Sequence, residues 1–280
     1  MSTPTITVPV DATNPGQFFA CCGLLELADR LWPESDDRRA AEGWFADGQF
    51  YISCGGTLRE LLQLARDAKL DDEPEDSDDE GSDEEGSDDD DTFIPLVLVK
   101  PVLLRLDWWQ EKGLKTWAGS MKANLIFKAM FRAIDPECVD PLGQTQVVYN
   151  PPSFTKTGRP QKPKKREPFY LDARRGANAL ALDIGFMPDA HKELKTRAHP
   201  AVEFFALVGL QRCRPIPTPT PRVFDYFTWS VPCSPAVLPL AVCGLLGDPQ
   251  AQGYRFENAF RTGQKKHKAF NPATPLGGSR

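Results

Sequence analysis

NPGQFFACCGLLELADRLWP, residues 14–33, carries the main clue to the fold. Asn14 is a helix cap, Pro15 fits the first helical position, and Pro33 ends the run, so a helix is expected from about Gly16 to Leu31. Its buried stripe reads as Phe18, Cys21, Cys22, Leu25, Ala28 and Leu31. The second half of the chain repeats the phrase. His199-Pro200 is followed by FFALVGLQRCR (Phe204–Arg214), so both copies share a proline and then Phe-Phe-Ala-x-x-Gly-Leu. Strand-like sequence precedes each copy, ITVPV from Ile6 and ALALDIGF from Ala179. A glycine within a helix costs about 1 kcal/mol against alanine, so Gly23 and Gly209 imply close packing, expected here to be helix on sheet. A shorter echo, AVCGLL (Ala241–Leu246), resembles ACCGLL (Ala20–Leu25). Either two buried helices share a composition by chance, or a β-α-β unit is duplicated. The second reading gives an α+β chain of two related ferredoxin-like (RRM- or RAMP-like) halves with antiparallel sheets.

Around these helices, WFADGQFYIS (Trp44–Ser53) reads as a hairpin and Leu58–Ala68 as a short helix. Phe93–Trp109 holds strand material. Trp117–Ile134 reads as a helix with Met121, Leu125, Met130 and Phe131 towards the core and Lys122, Lys128 and Arg132 outside. The expected division is an N-terminal half over 1–148, a Pro-rich basic arm over 149–176 and a C-terminal half over 177–280.

The net charge of −6 hides two opposed regions. Residues 71–91, DDEPEDSDDEGSDEEGSDDDD, hold 15 of the 39 acidic residues and no Lys or Arg. The remaining 24 face 33 Lys and Arg, so the rest of the chain carries about +9. The stretch has too little apolar surface to offset its ordering entropy and is expected to be a disordered insert. It reads as a solvated linker, or more sharply as a mask competing with phosphates for the basic body. A basic body favours polyanionic partners, because neutralising phosphates releases counterions.

Seven cysteines with no CxxC pair argue against a disulfide framework or zinc ribbon and for a reducing cytoplasm. The N-terminus has no charged and apolar signal-peptide pattern. Val231–Gly247 is 17 residues long and is broken by three prolines, so no membrane span is expected.

Tyr149–Gly176 carries eight cations: Lys156, Arg159, Lys162, Lys164, Lys165, Arg166, Arg174 and Arg175. Phe154, Phe169 and Tyr170 lie among them. Such a segment reads as a mobile arm whose cations touch phosphates and whose aromatic faces stack on bases, the plainer alternative being a solvated loop. Lys265, Lys266 and Lys268, with Arg255, Arg261 and His267, repeat the pattern beside Phe270. Trp108, Trp109 and Trp117 surround Lys112 and Lys115 and are read as core anchors. Catalytic signals are poor. The three histidines, His191, His199 and His267, stand in no recognised metal or triad pattern, and Pro188-Asp189…Glu193-x-Lys195 is too short for a PD…ExK nuclease. No cofactor is expected.

NPGQFFACCGLLELADRLWP, LRLDWW (104–109) with KTWAG (115–119), EFFALVGLQRCRP (203–215) and FDYFTWSVPCSPAVLPLAV (224–242) together resemble the third Csb-type family of CRISPR-Cas subtype I-U, also called I-G. The likeness covers most of the chain outside the acidic insert and basic arm. It implies a non-enzymatic subunit of a Cascade-like effector ribonucleoprotein in antiviral defence. The partners would be CRISPR RNA and/or target DNA and other Cas subunits. The acidic insert departs from the family's pattern. Two alternatives stand beside this reading: a metal-independent CRISPR RNA endoribonuclease using His191 or His267, and a protein-interaction adaptor working through the acidic insert.

Overall fold

The computed structural model describes residues 3–35, 40–67, 95–111, 113–118, 123–152, 158–161, 163–175, 197–261, 265 and 267–277. The acidic stretch 71–91 and the strand expected at Ala179 lie outside them.

Strand β1 (Ile6–Pro9) leads into helix α1 (Pro15–Leu31). Asn14 caps α1 as its sequence implies, its side chain accepting from Gly16 N and Gln17 N, with Pro15 in the first turn. Strands β2 (Glu42–Ala46) and β3 (Gln49–Ser53) form the hairpin read from the sequence. Its two-residue turn is Asp47-Gly48, at φ of 50° and 71°, the left-handed pair that matches strand twist. The sheet order is β1-β3-β2, wholly antiparallel, so α1 crosses from one edge strand to the other with the hairpin partner between.

Helix α2 (Leu58–Asp67) follows, then a separate two-stranded ladder of β4 (Leu96–Leu98) and β5 (Leu104–Leu106). A short 3-10 turn spans Trp108–Gln110, and α3 runs over Ala123–Arg132. Within the helix expected at 117–134, Trp117 instead lies in an irregular stretch, and Met121 and Lys122 fall outside the described residues. Met130 and Phe131 are buried as expected, but Ile126 and Phe127 take the core position given to Leu125.

In the second half, α4 (Pro200–Arg212) precedes β6 (Ile216–Pro217), β7 (Val223–Phe227), the five-residue α5 (Leu238–Val242), β8 (Gly253–Phe260), β9 (Lys268–Phe270) and β10 (Thr274–Pro275). The strand order is β10-β8-β7-β6, with β9 also on β8, again antiparallel. Thus β9 and β10 cover the β8 edge opposite β7, as β1 covers the β3 edge opposite β2. The two sheets meet where Trp229–Cys233 continues beside β2: Phe45 N donates to Trp229 O (2.8 Å) and Gly43 N to Cys233 O (2.9 Å). The echo at Ala241–Leu246 proves to be a helix end, with Gly244 at φ 68°, not a second copy of the α1 glycine.

The two long helices depart from the sequence reading in one instructive way. They pack on each other. A Cβ on Gly23 would lie 1.9 Å from Phe205 O, and one on Gly209 would lie 2.0 Å from Phe19 O. Phe19 and Gly23 match Phe205 and Gly209 in the repeated phrase, so equivalent residues meet reciprocally, as across a local two-fold axis. The glycines therefore serve a helix–helix crossing, not contact with a sheet. Because α4 covers one side and both sheets cover others, α1 is buried all round from Pro15 to Ala28 rather than along a stripe. Phe18 stacks on Phe45 (5.4 Å) and packs against Tyr226 (4.4 Å). Its counterpart Phe204 packs instead on Phe127 and Phe131 of α3, at 5.1 and 5.0 Å. Symmetry holds at the crossing and is lost in the outer layers.

No helix among the described residues is long and apolar enough to cross a membrane. All seven cysteines are free thiols, and burial pushes the Cys21 and Cys213 thiols well up.

Candidate nucleic-acid interface

The Pro-rich basic segment is anchored at both ends. Asn150 N donates to Lys164 O (2.8 Å) and Arg166 N to Val148 O (2.9 Å), holding residues 148–150 against 164–166. Arg166 Nε donates to Asn150 Oδ1 (2.6 Å), and Lys165 pairs with Glu167 (2.9 Å). Beyond Arg166 the chain enters the core. Phe169 packs on Trp117 (4.8 Å), and Thr116 Oγ1 donates to Phe169 O (2.5 Å). Leu171 N and Asp172 N both donate to the buried Glu203 carboxylate (3.2 Å each). Asn14 Nδ2 donates to Asp172 Oδ1 (2.8 Å), and Asn14 Oδ1 accepts from Ala173 N (3.0 Å). Asp172 therefore links the N-termini of α1 and α4. Burial would raise its pKa, but Arg174, His199 and Asn14 more than offset this and hold it below the ordinary aspartate value.

These contacts sort the cations expected to touch nucleic acid. Arg159 and Lys164 are exposed on the loop; Lys165 and Arg166 are half-buried in its neck. Arg174 is committed to structure, with Nη2 donating to Asp172 Oδ2 (2.6 Å) and Leu142 O (2.7 Å). Arg175 lies in the short 3-10 turn Ala173–Arg175. Lys156, Lys162 and Lys266 lie outside the described residues, as do Phe154 and His191. Phe169 and Tyr170 are core side chains rather than the stacking faces expected of them. The three tryptophans form a buried trio, as expected, with Trp117 5.7–6.0 Å from its two partners, and Trp108 Nε1 donates to Leu207 O (2.8 Å).

A second cationic region is built by strand register. Lys268 begins β9, opposite Phe260 on β8, and its N–H donates to Thr116 O (2.8 Å). The Arg222 guanidinium lies over the Phe260 ring (4.5 Å), while Arg222 O accepts from Asn258 N (2.8 Å). Asn258 is fully buried, and its Nδ2 donates to Gly113 O (2.9 Å) and Lys115 O (3.4 Å), tying that loop to β8. Lys115, Arg222 and Lys268 thus come together from three distant stretches. Burial first, then the like charges of Arg222 and Lys115, push the Lys268 ammonium down to about 8. Glu257 approaches Arg222 at 3.5 Å, and Asp225 is held by both Nε and Nη2 of Arg255 (2.7 Å each). Arg222 Nε is buried with no hydrogen-bond partner among the described residues. Arg261 is buried with its guanidinium on the Tyr170 ring (3.2 Å) and is a core cation. Lys265 is exposed in the β8–β9 connection, at φ 57°. Sequence reading marked Lys268 and noticed Lys115, but it missed Arg222. An isolated arginine in PRVFDYF carries no signal until β7 and β8 pair.

His199 immediately precedes α4, its Nδ1 3.0 Å from Gln144 O, and His267 is half-buried with its carbonyl accepting from Arg261 N. A shallow cleft beside Arg174 is lined by Asp11 and Asp140, whose carboxylates already accept from local turns at Thr13 and Gly143. Compared with known proteins, the chain matches no family model, no curated protein and no solved structure.

Proposed function

We propose that this chain is a non-enzymatic subunit of a CRISPR-Cas type I (I-U/I-G) effector ribonucleoprotein that contacts CRISPR RNA and/or target DNA beside other Cas subunits in the cytoplasm. The observation that carries the reading is charge segregation. The acidic surplus is confined to residues 71–91, while cations of the remaining +9 body gather at the Lys164–Arg166 loop neck and at Lys115, Arg222 and Lys268. A surface of this kind gains from displacing counterions on a phosphate backbone. The same proposal takes the reciprocal α1–α4 crossing as the remnant of a duplication, giving two ferredoxin-like halves. The test is titration of purified full-length protein with CRISPR repeat RNA and with single-stranded target DNA across a salt series. The expected result is binding that weakens steeply with salt, with no cleavage of the RNA in the absence of metal. Lack of binding at low salt defeats the proposal. Cleavage lost in His267→Ala would replace it with the endoribonuclease reading.

A further inference from the structure

The cleft beside Arg174, about 200 Å³, opens between the β2–β3 turn, the start of α1 and the chain at Asp140–Gly143. On one wall Asp11 Oδ1 accepts from Thr13 N (2.9 Å) and Thr13 Oγ1 (2.6 Å), and on the other Asp140 Oδ1 accepts from Gly143 N (3.0 Å). Oδ2 of each carboxylate has no donor among the described residues. The Asp140 carboxylate lies across Gly143, where a Cβ would fall 2.1 Å from Oδ2. Arg174 is the one cation among the described lining residues, and its charge is already met by Asp172, with Nε at 3.0 Å and Nη2 at 2.6 Å. The cleft therefore carries two carboxylates without a counterion.

Each wall also holds an unused donor. Gln17 is only 7% exposed, and its Oε1 accepts from Asp11 N (2.8 Å), which fixes the orientation of the amide. Its Nε2 has no acceptor among the described residues, yet it is not sealed from solvent, so it faces the cleft. Arg174 Nη2 is anchored on Leu142 O (2.7 Å), which leaves Nη1 without an acceptor. Pro9, Val10 and Leu142 complete the lining with apolar surface. A ligand that fills this cleft needs a cation for two carboxylates, an oxygen for two N–H donors and an aliphatic stem between them. A polyamine lacks the oxygen. Two carboxylates on opposite walls suit a guanidinium, whose five donors fan out in a plane, better than a compact ammonium.

We propose that this cleft binds one arginine, either the free amino acid or a residue of a partner polypeptide. The guanidinium lies between Asp11 Oδ2 and Asp140 Oδ2, the stem rests on Pro9 and Leu142, and the acyl oxygen accepts from Gln17 Nε2 and Arg174 Nη1. The site is separate from the nucleic-acid reading, since two carboxylates repel phosphate.

The test is a ligand-observed magnetic resonance titration of the full chain with four probes: L-arginine, N-acetyl-L-arginine methylamide, its uncharged citrulline analogue, and agmatine, which lacks the acyl oxygen. At least one of the first two is expected to bind, with agmatine weaker and the citrulline analogue weaker still. Tighter binding of the blocked form assigns a polypeptide residue, and tighter binding of L-arginine assigns the free amino acid; either upholds the site. Asp11→Asn and Asp140→Asn keep the turn hydrogen bonds and remove the charge, and each should weaken binding roughly three- to tenfold. Glu34→Gln, exposed beyond the far end of α1, should leave it unchanged. No binding of either arginine form, equal binding of the citrulline analogue, or equal binding of agmatine overturns the proposal. So do aspartate variants that bind like wild type or lose no more than Glu34→Gln. Should Asp11→Asn lower the melting temperature by more than a few degrees, Asp140→Asn carries the same test.

Discussion

Glu26 lies on α1 with its side chain 4% exposed, between Arg30 (Nε at 2.7 Å) and Arg212 of α4 (Nε at 2.5 Å). Burial alone would raise its pKa. The hydrogen bonds and charges of Arg212 and Arg30 more than offset that and bring it below the ordinary 4.5. A carboxylate with a depressed folded pKa contributes stability above its unfolded value, and that stability is lost as pH falls through the folded value. Glu26 should therefore support the fold fully at pH 7 and progressively less below about pH 4.5. Replacing it by glutamine leaves two arginines facing a neutral amide, at a cost of roughly 2 kcal/mol at pH 7. Urea unfolding at pH 7 and pH 4 checks both points. The gap between wild type and Glu26→Gln should narrow on acidification, and a gap that stays constant removes Glu26 as the titrating group. Asp172 shifts in the same direction, so the variant should retain some acid sensitivity.

At the scale of elements, the α1–α4 crossing is the sharpest constraint in the fold. A methyl group at Gly23 or Gly209 would collide with a backbone carbonyl at about 2 Å, and a backbone atom cannot swing aside as a side-chain tip can. Gly23→Ala and Gly209→Ala should each cost about 3 kcal/mol or more despite the better helix propensity of alanine. Gly277→Ala, where nothing lies within 4 Å, should stay within about 0.5 kcal/mol of wild type. Thermal melting of the three variants decides this, and a neutral Gly23→Ala would show that the helices are not so closely apposed. The same pair shows how far the sequence can be read. Glycine at matched positions of a repeated phrase shows that something approaches closely, but not what, because helix and sheet make the same demand. The hairpin was legible because Asp47-Gly48 leaves few alternatives for the turn. The threading of Phe169–Asp172 through the core was hidden by its Lys- and Pro-rich flank, whose composition belongs to a surface loop. The Lys115–Arg222–Lys268 cluster was illegible in principle, since its members are more than 40 residues apart and meet only through strand register and the hydrogen bonds that tie the Lys115 loop to β8 and β9.

Over the whole molecule, one apolar cluster runs from Ile6 to Ala273 and includes both long helices. Neither helix has an exposed face along most of its length: α1 is buried from Pro15 to Ala28 and α4 from Pro200 to Leu210. A helix buried on all sides cannot be satisfied by its own half of the chain. Separated from the second half, residues 1–148 would expose the side of α1 that meets Phe205 and Gly209, and would lose Tyr226 and Trp229 from around Phe18. Residues 177–280 would lose Phe127 and Phe131 from Phe204, and the carbonyl of Gly43 that accepts from Trp229 Nε1 at 2.7 Å. Large contiguous apolar surfaces of that kind drive aggregation rather than folding. Each half expressed alone should therefore be insoluble or lack fixed tertiary structure by near-ultraviolet circular dichroism. The full chain should unfold in a single transition, with calorimetric and van't Hoff enthalpies in agreement. A soluble, cooperatively melting half, or two resolved transitions in the intact chain, would show that the crossing joins two units able to stand alone. A single transition that both Gly23→Ala and Gly209→Ala shift as one would place the cooperative unit at the crossing itself, where the two halves bury their matching helices against each other.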